Sequence, residues 1–180
     1  NWEPAGFAHG FAEQHGPSIC SLGWRVRDEL EAITSAVARG GVRATNGDLS
    51  CGKSGAEGPP AVEGVGGSLL YLIGGPRGKA RYTRMGFLPL EEPDLVPPKG
   101  FTLIDHLTNN VERGTMARWA DFYKNVFGFT EVRYFDIRGV KTGLTSYALR
   151  SPDGSFCIPI NEADDAKSQI NEYLREYRGP

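Results

Sequence analysis

The chain has 180 residues, of which 39% are hydrophobic and 23% charged, with a formal net charge of −2 at pH 7. That composition suits a globular protein with room for one sizeable domain or two small ones. The near-neutral balance, without a long basic run, argues against a nucleic-acid or membrane-surface role, and the longest apolar run, Ser68 to Ile73, is too short to cross a bilayer.

In chain order, a strand is predicted over 18–26 and runs into Asp28, a good N-cap. A helix follows with Leu30, Ile33 and Val37 on one face, ending at Gly40-Gly41. Strand-like pieces come next at 42–44, 61–65 and 68–73, and the Gly- and Pro-rich segment 46–67 reads as a long loop. Residues 74–78 read as a turn. Pro89, Pro93, Pro97, Pro98 and Gly100 mark 89–100 as an extended linker. A strand over 101–111 then leads to a helix from about Thr115, with Met116, Trp119, Tyr123, Val126 and Phe127 at helical spacing and a stop at Gly128. Strands are predicted at 129–137, 142–149 and 155–161, and a last helix from about Asp165 with Ala166, Ile170, Tyr173, Leu174 and Tyr177 on one face. The order is βαβββ, linker, βαβββ: an α+β chain of two repeated modules, 1–88 and 101–180, with Val26 and Val111 as equivalent strand ends.

Strand parity selects the candidate site. His106 shares a face with Ile104 and Thr108, Ser146 with Leu144 and Ala148, and Asn161 with Cys157 and Pro159. On the concave face of one curved sheet, His106, Ser146 and Asn161 converge. An imidazole with neutral hydrogen-bonding groups in an apolar cup suits a small polar ligand held on a metal. The competing reading makes Ser146 and Asn161 local backbone partners. Pro159 inside a strand points to an edge or a bulge. Asp121–Lys124 and Asp164-Asp165 read as surface and capping groups, and His9 and His15 as loop residues. Cys20, Cys51 and Cys157 have no metal-type spacing. With no leader-like start they read as reduced thiols of a cytoplasmic protein, although both chain ends look cut.

Several short runs occur in an order that resembles the 4-hydroxyphenylpyruvate dioxygenases of the vicinal-oxygen-chelate superfamily. They include His15-Gly16-Pro17, Gly64-Val65-Gly66-Gly67-Ser68-Leu69, Ile104-Asp105-His106-Leu107-Thr108 and Trp119-Ala120-Asp121-Phe122-Tyr123. Further along come Gly143-Leu144-Thr145-Ser146, Pro152-Asp153-Gly154, Ile158-Pro159-Ile160-Asn161-Glu162 and Lys167-Ser168-Gln169-Ile170. The resemblance implies four βαβββ modules per subunit, with mixed curved sheets forming partial barrels. This chain then spans the second module (1–88, the end of the N-terminal domain), the linker 89–100, and the third module with its helix (101–180, the start of the catalytic domain).

It also implies an Fe(II) centre with His106 as the first of three ligands in a His-His-Glu triad. Ser146, Asn161 and Gln169 then line the substrate pocket, Leu144 and Pro159 form apolar walls, and Thr108 lies beside the ligand. No general acid or base is assigned. The implied reaction joins 4-hydroxyphenylpyruvate and dioxygen, decarboxylating the side chain and hydroxylating the ring to homogentisate, in tyrosine and phenylalanine catabolism. A homo-oligomer is expected. The other two ligands fall outside this chain, so the 180 residues alone are expected to be inactive. Two alternatives stand beside this reading: 4-hydroxymandelate synthase, which hydroxylates the side chain of the same substrate, and a non-catalytic small-molecule binder of the same superfamily.

Overall fold

The computed structural model describes residues 4–48, 58–75, 79–88, 91, 97, 99–138 and 143–180, without the side chains of 79 and 133–138. The first unit comprises α1 (Phe7–His15), β1 (Ser21–Arg25), α2 (Glu29–Ala38), β2 (Ala61–Glu63) and β3 (Leu69–Ile73), followed by α3 (Lys79–Arg84). The second comprises β4 (Asn109–Val111), α4 (Met116–Phe127), β5 (Thr130–Arg138), β6 (Gly143–Arg150), β7 (Cys157–Ala163) and α5 (Gln169–Glu176).

Both sheets share one connectivity. β1 runs parallel to β3, which pairs antiparallel with β2, and the extended piece at Arg43 bridges Val62 of β2 antiparallel. In the second unit β4 runs parallel to β7, β7 pairs antiparallel with β6, and β6 with β5. In each unit the first strand therefore lies beside the last, with the helix in the crossover that a parallel pair demands. The second unit shows the predicted βαβββ order, whereas in the first the strand expected at 42–44 is reduced to the single bridge at Arg43, leaving βαββ; both mixed sheets stay open among the described residues.

Each sheet buries one face under its own helix, and the two helices meet. Ile33 and Ala36 of α2 pack with Val62, Leu72 and Val126 of α4. Val65 and Leu70 of the first unit join Val111, Tyr123, Leu149, Ile158 and Ile160 of the second in one cluster. Trp24 closes the seam, its ring 4.7 Å from Phe127, 5.5 Å from Phe129 and 6.1 Å from Tyr123. The two halves thus pack on each other. Local signals behave as their chemistry demands. Asp28 accepts from the Glu31 N–H at 2.8 Å, and Gly128 ends α4 in the left-handed region, where a β-carbon is costly.

Several expectations need correction. The strand predicted over 101–111 is regular only at 109–111, with one isolated bridge between His106 and Cys157. Pro159 supplies the reason. Along β7 the Cys157 N–H points to the Asp105 carbonyl, so the next donor toward this neighbour belongs to Pro159, which has none. The ladder lapses there, and Pro159 sits in a central strand rather than at an edge. The face predicted for α2 is also shifted. Leu30 and Val37 are exposed while Ile33 and Ala36 are buried, because the small Ala36 allows close approach to the sheet. His9 and His15 are helical, not loop residues. His15 is buried, stacks on Phe11 and donates from Nδ1 to the Tyr177 carbonyl at 2.7 Å. The last helix begins at Gln169 under a Ser168 cap, and α3 was not expected. Of the linker, only residues 91, 97, 99 and 100 lie among the described residues, and in the long loop 49–57 lie outside them.

Candidate functional site

The faces turned away from α2 and α4 distinguish the two units. In the first sheet this face carries Leu69, Tyr71 and Ile73 from central β3, with Ala61 opposite Tyr71 and Ala44 beyond it. Phe7 and Met85 pack on it, making an apolar core. In the second sheet the same position on central β7 carries Cys157, Pro159 and Asn161. Register places Ala148 opposite Pro159, Ser146 opposite Asn161 and Leu144 opposite Ala163. His106 joins through its bridge to Cys157, and Asn110 through its pairing with Asn161. Paired residues project to one side of a sheet, so His106, Asn110, Asn161, Ser146, Pro159 and Leu144 share this face.

The face has two ends. Asn161 and Ser146 lie at one, where Asn161 Nδ2 donates to Asn110 Oδ1 at 3.3 Å and Ser146 is buried. His106 lies at the other, beside Cys157. Four residues of extended β7 separate the two ends, about 13 Å. The parity expectation therefore holds, but the three predicted groups do not touch.

His106 is exposed, and its Nδ1 lies 2.7 Å from Asp105 Oδ2. An ionised carboxylate only accepts, so Nδ1 carries a proton, and in the neutral ring Nε2 offers its lone pair. Thr108 and Gln169 are exposed, and Thr108 lines a cleft of about 500 Å³ between the units with Tyr173 and Tyr177. A second cleft of about 980 Å³ runs along β1 and α2. Neither cleft includes Ser146 or Asn161.

The acidic residues nearby have structural work. Glu162, on the opposite face, accepts from the Met116 N–H at 2.9 Å and caps α4, whose Thr115 supplies no side-chain cap. Asp164 accepts from Thr145 Oγ1 at 2.7 Å. Asp165 accepts from the Gly143 N–H at 3.0 Å, and that bond, followed by the one from Lys167 N–H, holds its carboxyl below the usual range. Together these pin the start of β6, and hence Leu144 and Ser146, in register. Asp105 and Asn110 were missed by sequence reasoning. Asn110 could have been found, since it repeats the parity of His106 four residues on. Nothing in the sequence signals that Asp105 turns toward its neighbour's ring.

As a test of fit to iron, the described residues offer one imidazole with a free Nε2 on a polar face. They contain no group of three His, Cys, Asp or Glu residues able to hold a metal ion. They fit one corner of a metal site. Among them, no helix is long and apolar enough to cross a membrane.

Residues 1–87 match the family described as hydroxyphenylpyruvate dioxygenase, HPPD, N-terminal, and residues 103–175 match the glyoxalase/bleomycin resistance protein/dioxygenase superfamily. Protein MelA of Shewanella colwelliana is 52% identical over 183 residues, covering 100% of this chain and 51% of the relative. A 4-hydroxyphenylpyruvate dioxygenase of Pseudomonas aeruginosa is 42% identical, covering 99% and 49%. The chain thus spans about half the length of the curated relatives it matches. A solved structure of a 4-hydroxymandelate synthase mutant from Streptomyces coelicolor superposes with a TM-score of 0.75 at 21% identity, over 99% of this chain and 51% of that one, which shows a shared fold.

Proposed function

We propose that this chain, which belongs to the 4-hydroxyphenylpyruvate dioxygenase family of the vicinal-oxygen-chelate superfamily, carries one wall of an Fe(II) oxygenase site that takes an arylpyruvate. The observation that carries the reading is the contrast between the two sheet faces. One connectivity serves both, yet only the second face sets an imidazole, a hydroxyl and two amides where the first sets an apolar core.

In this reading His106 is a metal ligand through Nε2. Ser146 and Asn161 hydrogen-bond the far end of the substrate, and Gln169 reaches toward it from the start of α5. Leu144, Pro159 and Thr108 form the walls, orienting the ring and excluding water. Bound iron supplies the redox chemistry that couples dioxygen to decarboxylation of an α-keto acid. The remaining ligands are not among the described residues. The substrate is 4-hydroxyphenylpyruvate and the product homogentisate, in a cytoplasmic homo-oligomer serving tyrosine and phenylalanine breakdown. The modules 1–88 and 101–180 with the linker 89–100 belong to the same proposal.

The test is product analysis with the complete polypeptide that carries this sequence, loaded with Fe(II) and given 4-hydroxyphenylpyruvate and oxygen. Homogentisate with release of CO2 is expected, and His106→Ala should lose both iron and product. The 180 residues alone should form none. Formation of 4-hydroxymandelate would overturn the assignment of ring hydroxylation. Oxygen uptake that is unchanged in His106→Ala would overturn the site.

A further inference from the structure

We infer that Asp105 is a positioning residue for His106: its carboxylate fixes the imidazole in the tautomer and orientation that present Nε2 to a metal ion. The inference rests on the proposed role of His106 and deepens it.

The geometry is specific to this short stretch. In a regular strand neighbouring side chains project to opposite faces, so Asp105 should point away from His106. Here, among the described residues, the backbone is held by Cys157, whose N–H donates to the Asp105 carbonyl and whose carbonyl accepts from the Leu107 N–H, each at 3.4 Å. Pro159 removes the next rung. Released from a continuous ladder, the Asp105 carboxylate turns back to the ring of His106, at 2.7 Å. The neighbouring backbone fixes where His106 sits, and the carboxylate fixes which nitrogen faces the open side.

The chemistry follows from charge. A carboxylate accepting from Nδ1–H makes Nε2 the lone-pair nitrogen of the neutral ring. A cation on Nε2 withdraws electron density from the ring and strengthens the Nδ1–H donor, so the pair and the metal reinforce each other. Both side chains are largely open to solvent. The Asp105 side chain is 82% exposed and that of His106 53%, and a hydrogen bond between groups so open to water adds little to folding stability. Removing the carboxylate should therefore leave the fold intact and alter only the ring.

Two readouts test this without turnover. In the metal-free 180-residue chain, ring nitrogen shifts from long-range proton–nitrogen NMR should show His106 with Nδ1 protonated. Asp105→Ala should shift the ring to a mixture of tautomers at unchanged Tm. In the complete polypeptide, chelator competition with Co(II) alone should give a Kd about 10- to 100-fold weaker for Asp105→Ala. Asp105→Asn, which keeps an acceptor, should lie between that variant and the parent. Loss of Co(II) binding in His106→Ala alongside parental affinity in Asp105→Ala would overturn the positioning role and leave the ligand assignment standing. Parental affinity in His106→Ala would overturn the ligand assignment itself, and the inference with it.

Discussion

Replacing Tyr123 by phenylalanine should make the protein less stable at neutral pH and more stable in strong alkali. Tyr123 lies in the cluster shared by the two units, 1% exposed, and its hydroxyl accepts from Asn109 Nδ2 at 3.1 Å. Burial pushes the phenol from its ordinary value near 10 up to about 12, and the bond from Asn109 offsets this only in part. A group whose folded pKa is raised contributes stability in full below its unfolded pKa and loses it as pH climbs through the folded value. From pH 10 to pH 12 the unfolded phenol ionises first, which should cost the parent about 2 kcal/mol from this group alone. At pH 7 the variant loses one neutral hydrogen bond, roughly 1 kcal/mol, since the half-buried Asn109 can turn to water. The two stability curves should therefore cross near pH ~11. Urea unfolding of both proteins from pH 7 to 11.5 measures the difference, in which all other titrating groups cancel. A difference that stays constant across that range would refute the reasoning.

Other perturbations test the remaining links. Trp24→Ala removes the ring that joins β1 to α4, and the Trp24 Nε1 has no hydrogen-bond partner among the described residues, so the loss is one of packing. It should cost about 3–5 kcal/mol, and hydrogen exchange should show amides of both units losing protection together. Glu162→Ala removes the acceptor at Met116 N–H and should cost about 1 kcal/mol in chemical denaturation, with Glu162→Gln recovering most of it. Asn161→Leu in the complete polypeptide should raise KM for 4-hydroxyphenylpyruvate or redirect its product while keeping bound iron, since Asn161 lies at the end of the face far from His106.

The order of elements was legible because both periods are written plainly. Tyr123 and Val126 lie at helical spacing, and Ile158 and Ile160 alternate with Pro159 and Asn161, so the order of helix and strands followed directly, although the buried Ala120 of α4 was not picked out. What failed depended on partners distant in sequence. Leu30 and Val37 satisfy a helical stripe as well as Ile33 does, and only the position of β2, β3 and α4 decides which residues are covered. The α1 helix holds Gly10 and two histidines and has no side-chain cap; Asp48, accepting from the Phe7 and Ala8 N–H groups, supplies what its own sequence lacks. The break in the strand over 101–111 was written in Pro159, some fifty residues later, and could be read only once β7 was known to be its neighbour. At the site, parity found His106, Ser146 and Asn161, but their separation along β7 and the turn of Asp105 are three-dimensional facts.

The two units also show what the fold requires and what it merely tolerates. A βαβββ sheet with a helix on one side must dispose of its other face, and the first unit does so with Leu69, Tyr71 and Ile73 under Phe7 and Met85. Stability alone would favour the same solution in the second unit, because a buried hydroxyl or amide costs free energy unless it is hydrogen-bonded. Instead β6 and β7 set Ser146 and Asn161 there, and Asn161 spends one donor on Asn110. The nearby carboxylates of Asp164 and Asp165 hold the strand that carries Ser146 at both Thr145 and Gly143. A rigidly registered polar face is therefore maintained where an apolar one would be cheaper. Departures of this kind from the most stable sequence cluster where a ligand repays them. That asymmetry supports the proposed ligand face of the second unit without appeal to any likeness to other proteins.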